Sequence, residues 1–187
     1  MSLILASASP RRRELLALLT PHFTVCTAPV DESRFAEPTP AALAGRLALE
    51  KCRAVAADHP QDCVLAADTV VDVDGAMLGK PRDTADARRM LRLLSGRSHL
   101  VHTGVCVRCA GREEHCVQTT AVRFAALTEP ELERYLATDE PYDKAGGYGI
   151  QGAAARFVEG IDGCYFNVMG LPVHTVYRML CAMGQLP

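Results

Sequence analysis

The chain has 187 residues, of which 49% are hydrophobic and 22% are charged, as in folded globular proteins and unlike disordered ones. Its length suits one domain, of a size that can form two lobes around a cleft. Its net charge is −2, and aromatic residues make up 5% with no Trp, which argues against a generally basic or an aromatic nucleic-acid-binding surface. A local basic patch remains compatible with these values.

The pattern of apolar residues, caps and turns predicts alternating strands and helices with hairpins between them, and therefore a mixed sheet. In the first part of the chain we expect a strand over 3–6, a helix from Pro10 to Pro21 capped by Ser9, and a helix over 40–57 capped by Thr39. A strand over 63–73 with a return strand at 76–78, a helix after Asp83, and a long hairpin of about 98–109 and 112–124 should follow. The last part should contain a helix that starts at the capping box Thr128–Glu131, strand-like residues near 150–158, and a helix after Gly170-Leu171-Pro172.

The N-terminal segment does not have the order of a secretory signal. Its apolar run is about four residues long and the basic residues follow it, whereas a signal peptide has a longer core preceded by basic residues. No apolar stretch approaches the roughly 20 residues that cross a membrane. We therefore expect a cytoplasmic protein whose thiols stay reduced.

Eight cysteines are spread along the chain, and one group of them has a spacing that zinc could use. Cys106 and Cys109 lie close to His115 and Cys116. Because side chains alternate along a strand, however, the predicted hairpin would point Cys106 and Cys109 to opposite faces. A zinc site needs both on one side, so we expect the cysteines to be small buried hydrophobic residues.

The start of the first helix is a candidate anion site. A strand runs into this helix, whose first N–H groups are free to bind an anion. Arg11, Arg12 and Arg13 would oppose the helix dipole there unless an anion were bound. Because consecutive helical residues fan out by about 100°, the three cannot all face one ligand. A solvated basic helix start is the alternative interpretation.

Two charged residues interrupt apolar segments. Lys51 falls within the apolar stripe of its predicted helix, where it either extends along the surface to solvent or points into a site. Asp68 interrupts the apolar strand over 63–73, and a charge there is unfavourable unless it is paired or bound to a metal. Asp68 is therefore a candidate metal ligand or general base, with capping of local backbone as the alternative.

Two loop segments could contact a ligand. In Gly79-Lys80-Pro81-Arg82, two cations on a rigid turn could hold phosphates. Residues Gly147–Gly152 match G-x-G-x-x-G, but a loop rather than a strand precedes them, which argues against a dinucleotide-binding motif. Their glycines favour close approach of the backbone to a ligand.

Taken together, these motifs resemble the Maf family of nucleoside triphosphate pyrophosphatases. The set consists of Ser7-x-Ser9-Pro10-Arg11-Arg12, Ala67-Asp68-Thr69, Gly79-Lys80-Pro81-Arg82, Asp143–Gly152 and Gly170-Leu171-Pro172, in the family's order. It covers essentially the whole chain and is highly specific as a set. The resemblance implies an α/β fold similar to that of inosine triphosphate pyrophosphatases. We expect a long mixed β-sheet flanked by helices, with two lobes around a cleft, as a single Maf-like domain over residues 1–187.

The resemblance also implies the reaction and the residues that carry it. The expected activity is hydrolysis of a nucleoside triphosphate to the monophosphate and pyrophosphate with Mg²⁺ or Mn²⁺. The positions that match the family are the catalytic base Asp68, the metal ligands Glu32 and Asp68, the phosphate-binding residues Ser9, Arg12, Lys51 and Lys80, and the substrate-specificity residues Arg11, Thr69 and Gln151.

Arg11 and Gln151 are similar to the branch of the family that acts on dTTP and UTP, whereas the branch for 7-methyl-GTP tends to have Trp and Glu there. A neutral amide both donates and accepts, as the O4 and N3–H edge of uracil or thymine requires. The expected partner is the nucleotide, with a homodimer allowed and with neither a membrane nor stable nucleic-acid binding expected.

Two alternatives remain. The enzyme could act on purine triphosphates, or the protein could be a non-enzymatic regulator of cell division that binds protein or nucleic acid through its arginines. The acids Glu32 and Asp68 favour the enzyme, because nucleic-acid binding alone would not need them.

Overall fold

A computed structural model describes residues 1–187 and contains seven strands and six α-helices. They are β1 (Leu3–Leu5), α1 (Pro10–Ala17), β2 (Thr24–Val25), α2 (Pro40–Asp58), β3 (Cys63–Val73), β4 (Ala76–Leu78), α3 (Thr84–Leu94), β5 (Ser98–Cys109), β6 (Arg112–Phe124), α4 (Glu129–Leu136), β7 (Val158–Asp162), α5 (Tyr165–Met169) and α6 (Val173–Ala182). Short 3₁₀ turns lie at Glu32–Arg34, Glu140–Asp143, Ala145–Gly147 and Ala153–Phe157.

The strands form one mixed sheet in the order β2-β1-β3-β5-β6-β7, with β4 also paired to β3. β1 runs parallel to both of its neighbours, whereas the pairs from β3 to β7 are antiparallel. Helices flank this sheet, which confirms the predicted α/β class. None of the helices has the length and apolar character needed to cross a membrane.

The predicted caps are present and fix where the helices begin. The side chains of Ser9, Thr39 and Asp83 each accept a hydrogen bond from a backbone N–H in the first turn of the helix that follows. The Asp74-Gly75 turn has φ angles of 52° and 82°, as a two-residue hairpin between twisted strands requires. The predicted bounds of β3, β5 and β6 are also confirmed.

Two local predictions differ from the structure, and two short elements had no prediction. The first helix ends at Ala17, before Pro21, and Leu18 is exposed. The expectation of strand-like residues near 150–158 is wrong: Ala153–Phe157 is a 3₁₀ turn and the strand follows as β7. A side chain from a distant turn binds the N–H groups of Ala153 and Ala154, which are therefore not available to a neighbouring strand. The short elements β2 and α5 were not predicted.

Two hydrophobic cores share the long strands, and each core forms the interior of one lobe. One core contains the β3 residues Val71 and Val73 with α3 and α4. The other contains Cys63, Leu65 and Ala67 from the same strand, with α1 and α6. A third cluster joins α2 to the opposite face of the sheet. The cleft lies where β3 passes from one lobe to the other.

The cysteines confirm the predicted alternation in the hairpin. Cys106 packs with α2 on one face of the sheet, whereas Cys109 packs with α6 on the other. All eight cysteines are free; Cys52, Cys63, Cys106 and Cys109 are buried, and the other four are half-buried.

A buried histidine gives the fold a pH dependence. His99 is 2% exposed, and its Nε2 lies 2.7 Å from the Tyr148 hydroxyl while its Nδ1 has no partner. Burial lowers the pKa of His99 to about 4 from 6.5. In the unfolded chain His99 is therefore protonated at a higher pH than in the folded protein.

We expect the free energy of unfolding to fall by up to about 3 kcal/mol as the pH drops from 6.5 to 4. The full free energy of unfolding is retained above pH 6.5, because His99 is then neutral in both the folded and the unfolded protein. Urea unfolding at a series of pH values measures the effect, and His99→Gln, which cannot titrate there, should show a shallower dependence. Equal slopes for the two proteins would contradict the assignment to His99.

Candidate active site

A cavity of about 890 Å³ opens at an interruption in strand pairing. β1 pairs with β3 over Cys63–Leu65 and β4 pairs with it over Val71–Val73, so the segment between has no strand neighbour on that side. Because side chains alternate, Asp68 projects towards α2 and Thr69 towards the opposite face. The cavity contacts both residues and therefore both faces of the sheet.

Close packing of α2 brings a lysine to Asp68. Gly104 of β5 is the register partner of Asp68, and a Cβ at Gly104 would lie 2.2 Å from the carbonyl oxygen of Ala44 in α2. Further along this helix, Lys51 places its Nζ 2.5 Å from Asp68 Oδ1 and 2.7 Å from Glu32 Oε1. Lys51 thus points into a site, which decides between its two predicted orientations.

Glu32 and Asp68 are suited to a hard divalent cation. Their carboxylates contact the same ammonium group and so lie close together. No group of three or more His, Cys, Asp and Glu side chains could hold a metal by itself. Mg²⁺ fits such a site, because it commonly binds through one or two carboxylates and completes its shell with water and substrate phosphates.

Arg12 connects the start of α1 to both sides of the cleft. Its Nε donates to the Gly170 carbonyl at 2.8 Å, its Nη1 to Ser7 Oγ at 3.3 Å and its Nη2 to Thr69 Oγ1 at 3.0 Å. Burial holds the pKa of the Arg12 guanidinium below its ordinary value, and the nearby charge of Asp68 only partly offsets this shift. Much of its hydrogen-bonding capacity therefore holds the site together, and the remaining N–H groups are available to a ligand.

The contacts of Arg12 determine which hydrogen bond Thr69 can offer. Hydrogen bonds link Arg12, Thr69, Thr103 and the backbone carbonyl of Asn167 in a row. At one end the guanidinium can only donate, and at the other end the carbonyl can only accept. Thr103 donates to that carbonyl at 3.0 Å and must therefore accept from Thr69, which lies 3.0 Å away. With its proton used in this way, the Thr69 hydroxyl presents only a lone pair to a ligand.

A bridge of charges spans the mouth of the cavity. Arg11 Nη1 donates to Asp143 Oδ2 at 2.9 Å, and Lys144 contacts the other oxygen of the same carboxylate. Burial raises the pKa of Asp143, but the hydrogen bonds from Lys144 and Arg11 bring it below its ordinary value. The bridge joins α1 to the glycine-rich loop.

The structure brings every predicted site residue to this cavity: Ser9, Arg11, Arg12, Glu32, Lys51, Asp68, Thr69, Lys80 and Gln151. Arg13 is exposed outside it, as the fan of helical side chains predicts. Lys80 and Gln151 are exposed side chains at its rim, and Ser9 caps α1. The roles predicted for these residues remain predictions.

The sequence interpretation missed three residues that line the cavity. Ser7 is 8% exposed and accepts from the Ser9 N–H and from Arg12, which leaves its hydroxyl proton for a ligand. Asp143 and Lys144 form the bridge at the mouth. All three belong to the quoted motifs, but their contacts join segments far apart in the chain and could not be inferred from spacing.

Comparison with known proteins identifies the family of this chain. A family model described as Maf-like protein matches residues 2–183. The dTTP/UTP pyrophosphatase of Koribacter versatilis is 51% identical, over 100% of this chain and 96% of that protein. The dTTP/UTP pyrophosphatase of Moorella thermoacetica is 53% identical, over 97% and 95%.

Solved structures share the fold at low sequence identity. The Staphylococcus aureus Ham1 protein superposes with a TM-score of 0.59 at 13% identity, over 97% of this chain and 99% of that one. A HAM1 protein from Coxiella burnetii gives 0.57 at 14% identity, over 96% and 98%. The family match runs through nearly the whole chain, including every motif around the cavity, and this protein therefore belongs to the Maf family.

Proposed function

We propose that this protein is a nucleoside triphosphate pyrophosphatase that hydrolyses dTTP, UTP and modified pyrimidine nucleotides to the monophosphate and pyrophosphate. The observation that carries the proposal is the Asp68 carboxylate, which contacts Lys51 inside a cavity lined by further cations. The names of the similar proteins support the same activity.

The cations of the cavity suit a triphosphate. Lys51 and Lys80 provide point charges, and the free N–H groups of Arg12 can bind a phosphate oxygen. Ser9 lies at the start of α1, where free backbone N–H groups favour an anion. Together they would hold the three phosphates in one orientation and leave the bond between the α- and β-phosphates accessible.

The acids provide the chemistry at the α-phosphorus. We assign metal binding to Glu32 and Asp68; Mg²⁺ or Mn²⁺ bound there would neutralise charge on the phosphate oxygens. Asp68 Oδ1 is bound by Lys51, which keeps the carboxylate oriented and leaves Oδ2 to accept a proton from water. The water oxygen then bonds to the α-phosphorus, and the bridging oxygen leaves with pyrophosphate.

Recognition of the base would use further side chains of the cavity. Gln151 is the one side-chain amide that lines it, and an amide can pair with both O4 and N3–H. Thr69 presents a lone pair, which suits an N–H or O–H donor of the nucleotide. Arg11 also lines the cavity, where Asp143 holds its guanidinium.

A substrate panel tests this function. We expect pyrophosphate release from dTTP and UTP, with Mg²⁺ or Mn²⁺, to exceed release from CTP, GTP and ATP. A preference for GTP or ATP would support the purine alternative instead. Salt-dependent DNA binding without turnover of any triphosphate would support the non-enzymatic regulator.

Replacing Gln151 with Glu should lower kcat/KM for dTTP and UTP by about 10- to 100-fold, because a carboxylate cannot donate to O4. Turnover of GTP should not fall in parallel. Gln61→Glu is the matched control, since it adds the same charge at an exposed position outside the cavity. An equal loss on all substrates would argue against base recognition by Gln151.

We also propose that residues 1–187 form one Maf-like domain that acts in the cytoplasm, where nucleoside triphosphates are made and used. Support for one domain comes from β3 and β5, which contribute buried residues to both main cores.

A further inference from the structure

Glu140 lies outside the cavity but binds the loop that carries Gln151. Its Oε2 accepts from the Ala153 N–H at 2.7 Å. Its Oε1 accepts from the Ala154 N–H at 3.2 Å and from the Tyr135 hydroxyl at 3.0 Å. One carboxylate thus holds the two backbone groups that follow directly after Gly152.

The glycines on either side of Gln151 fit around this contact. Gly152 has φ of −105°, which any residue can adopt, yet a Cβ there would lie 2.4 Å from Glu140 Oε2. A Cβ at Gly149 would lie 2.9 Å from Lys144 Cε and 3.3 Å from Glu140 Oε1. Lys144 in turn donates to the Glu140 carbonyl at 2.8 Å. Close approach of Glu140, and not backbone strain, therefore explains the glycine at position 152.

We propose that Glu140 is a positioning residue for Gln151, and that by fixing the loop it sets the direction of the Gln151 amide and hence the selectivity for the nucleobase. The proposal rests on the proposed function, because it deepens the role given there to Gln151. Glu140 does not line the cavity, so its effect on the substrate passes through the loop.

The matching of hydrogen-bond donors and acceptors makes Glu140→Gln the informative change. Glutamine keeps the size of the side chain but replaces one oxygen with an NH₂ group. In either orientation of the amide, NH₂ then faces the N–H of Ala153 or of Ala154, and one of the two loses its acceptor. The loop therefore loses one of its two contacts with residue 140, while the unchanged size of the side chain leaves no packing void.

We expect Glu140→Gln to lower the ratio of kcat/KM for dTTP to kcat/KM for GTP by about tenfold, mainly through dTTP. Hydrogen exchange should become faster at the amides of 149–155 and stay unchanged in β3. Gly152→Ala should give the same pattern, because its Cβ would push the Glu140 carboxylate away from the loop. It also provides a second variant if the first folds poorly.

Tyr135→Phe is the matched control. It removes a hydrogen bond to the same carboxylate from a fully buried side chain but leaves both loop contacts in place. We expect it to lower the unfolding temperature while the selectivity ratio stays within about twofold of the wild type.

The outcomes separate this proposal from the proposed function. If the wild type has no preference for dTTP and UTP, the proposed function fails, and exchange at 149–155 still reports whether Glu140 holds the loop. If the wild type has the preference and Glu140→Gln keeps it, the positioning role is wrong. A loss of selectivity in Tyr135→Phe as large as in Glu140→Gln would also overturn it, because general destabilisation would then suffice.

Discussion

Replacing Asp68 with Asn should lower kcat for dTTP about 10²- to 10⁴-fold, the range expected for loss of a general base. Asparagine has the same shape, and its oxygen can still accept from Lys51 in place of Oδ1. Its NH₂ group would occupy the position of Oδ2 and cannot take a proton from water. The chemistry therefore fails while the arrangement of the neighbouring side chains is kept.

Steady-state and single-turnover pyrophosphate release measure this effect, with the unfolding temperature as the check on folding. Asp162→Asn is the matched control, because Asp162 is exposed on β7 and does not line the cavity. Near-full activity of Asp68→Asn would refute the assignment of the base. Recovery of activity at saturating Mg²⁺ would restrict Asp68 to metal binding.

Replacing Gly104 with Ala should cause the largest loss of stability, about 3 kcal/mol or more. The added Cβ would lie 2.2 Å from the Ala44 oxygen, 2.5 Å from the Ala44 carbonyl carbon and 2.7 Å from the Gly45 Cα. All three are backbone atoms, so no flexible side chain can move aside. The helix α2 must move away from the sheet, and its buried face against β3 and β5 is partly lost.

Urea unfolding measures this loss, and Gly79→Ala is the comparison. Gly79 has no atom within 4 Å of an added Cβ and no positive φ, so its replacement should stay within about 0.5 kcal/mol. The folded fraction of Gly104→Ala should also turn over dTTP slowly, because movement of α2 withdraws Lys51 from Asp68. Equal free energies of unfolding for the two variants would contradict this prediction, because α2 would then accommodate the added Cβ without a loss of stability.

Local sequence patterns predicted much of the fold. The bounds of β3 follow from an apolar run that ends at the turn residues Asp74-Gly75. The starts of α1 and α2 follow from Ser9 and Thr39, each before a proline. Such patterns act over a few residues, so they can be recognised without knowledge of the tertiary structure.

Predictions failed where distant segments decide the structure. The 3₁₀ turn at Ala153–Phe157 depends on Glu140, and the bridge at the mouth depends on Arg11 meeting Asp143 across 132 residues. Similarly, the motifs placed Arg12 in the site, but only the structure shows that it also binds Gly170 and Thr69. The members of the site were predictable from the family motifs; their mutual contacts were not.

The interruption in pairing along β3 has a consequence for how the site tolerates change. Val64 and Ala66 are as apolar and as buried as Leu65 and Ala67, so hydrophobicity alone would accept this strand with either face turned towards α2. Deletion of a single residue between Cys63 and Ala67 would turn the carboxylate away from Lys51 and bring a hydroxyl in its place. The orientation of Asp68 thus depends on the register of β3, which its pairing with β1 over Cys63–Leu65 and with Gly104 of β5 fixes.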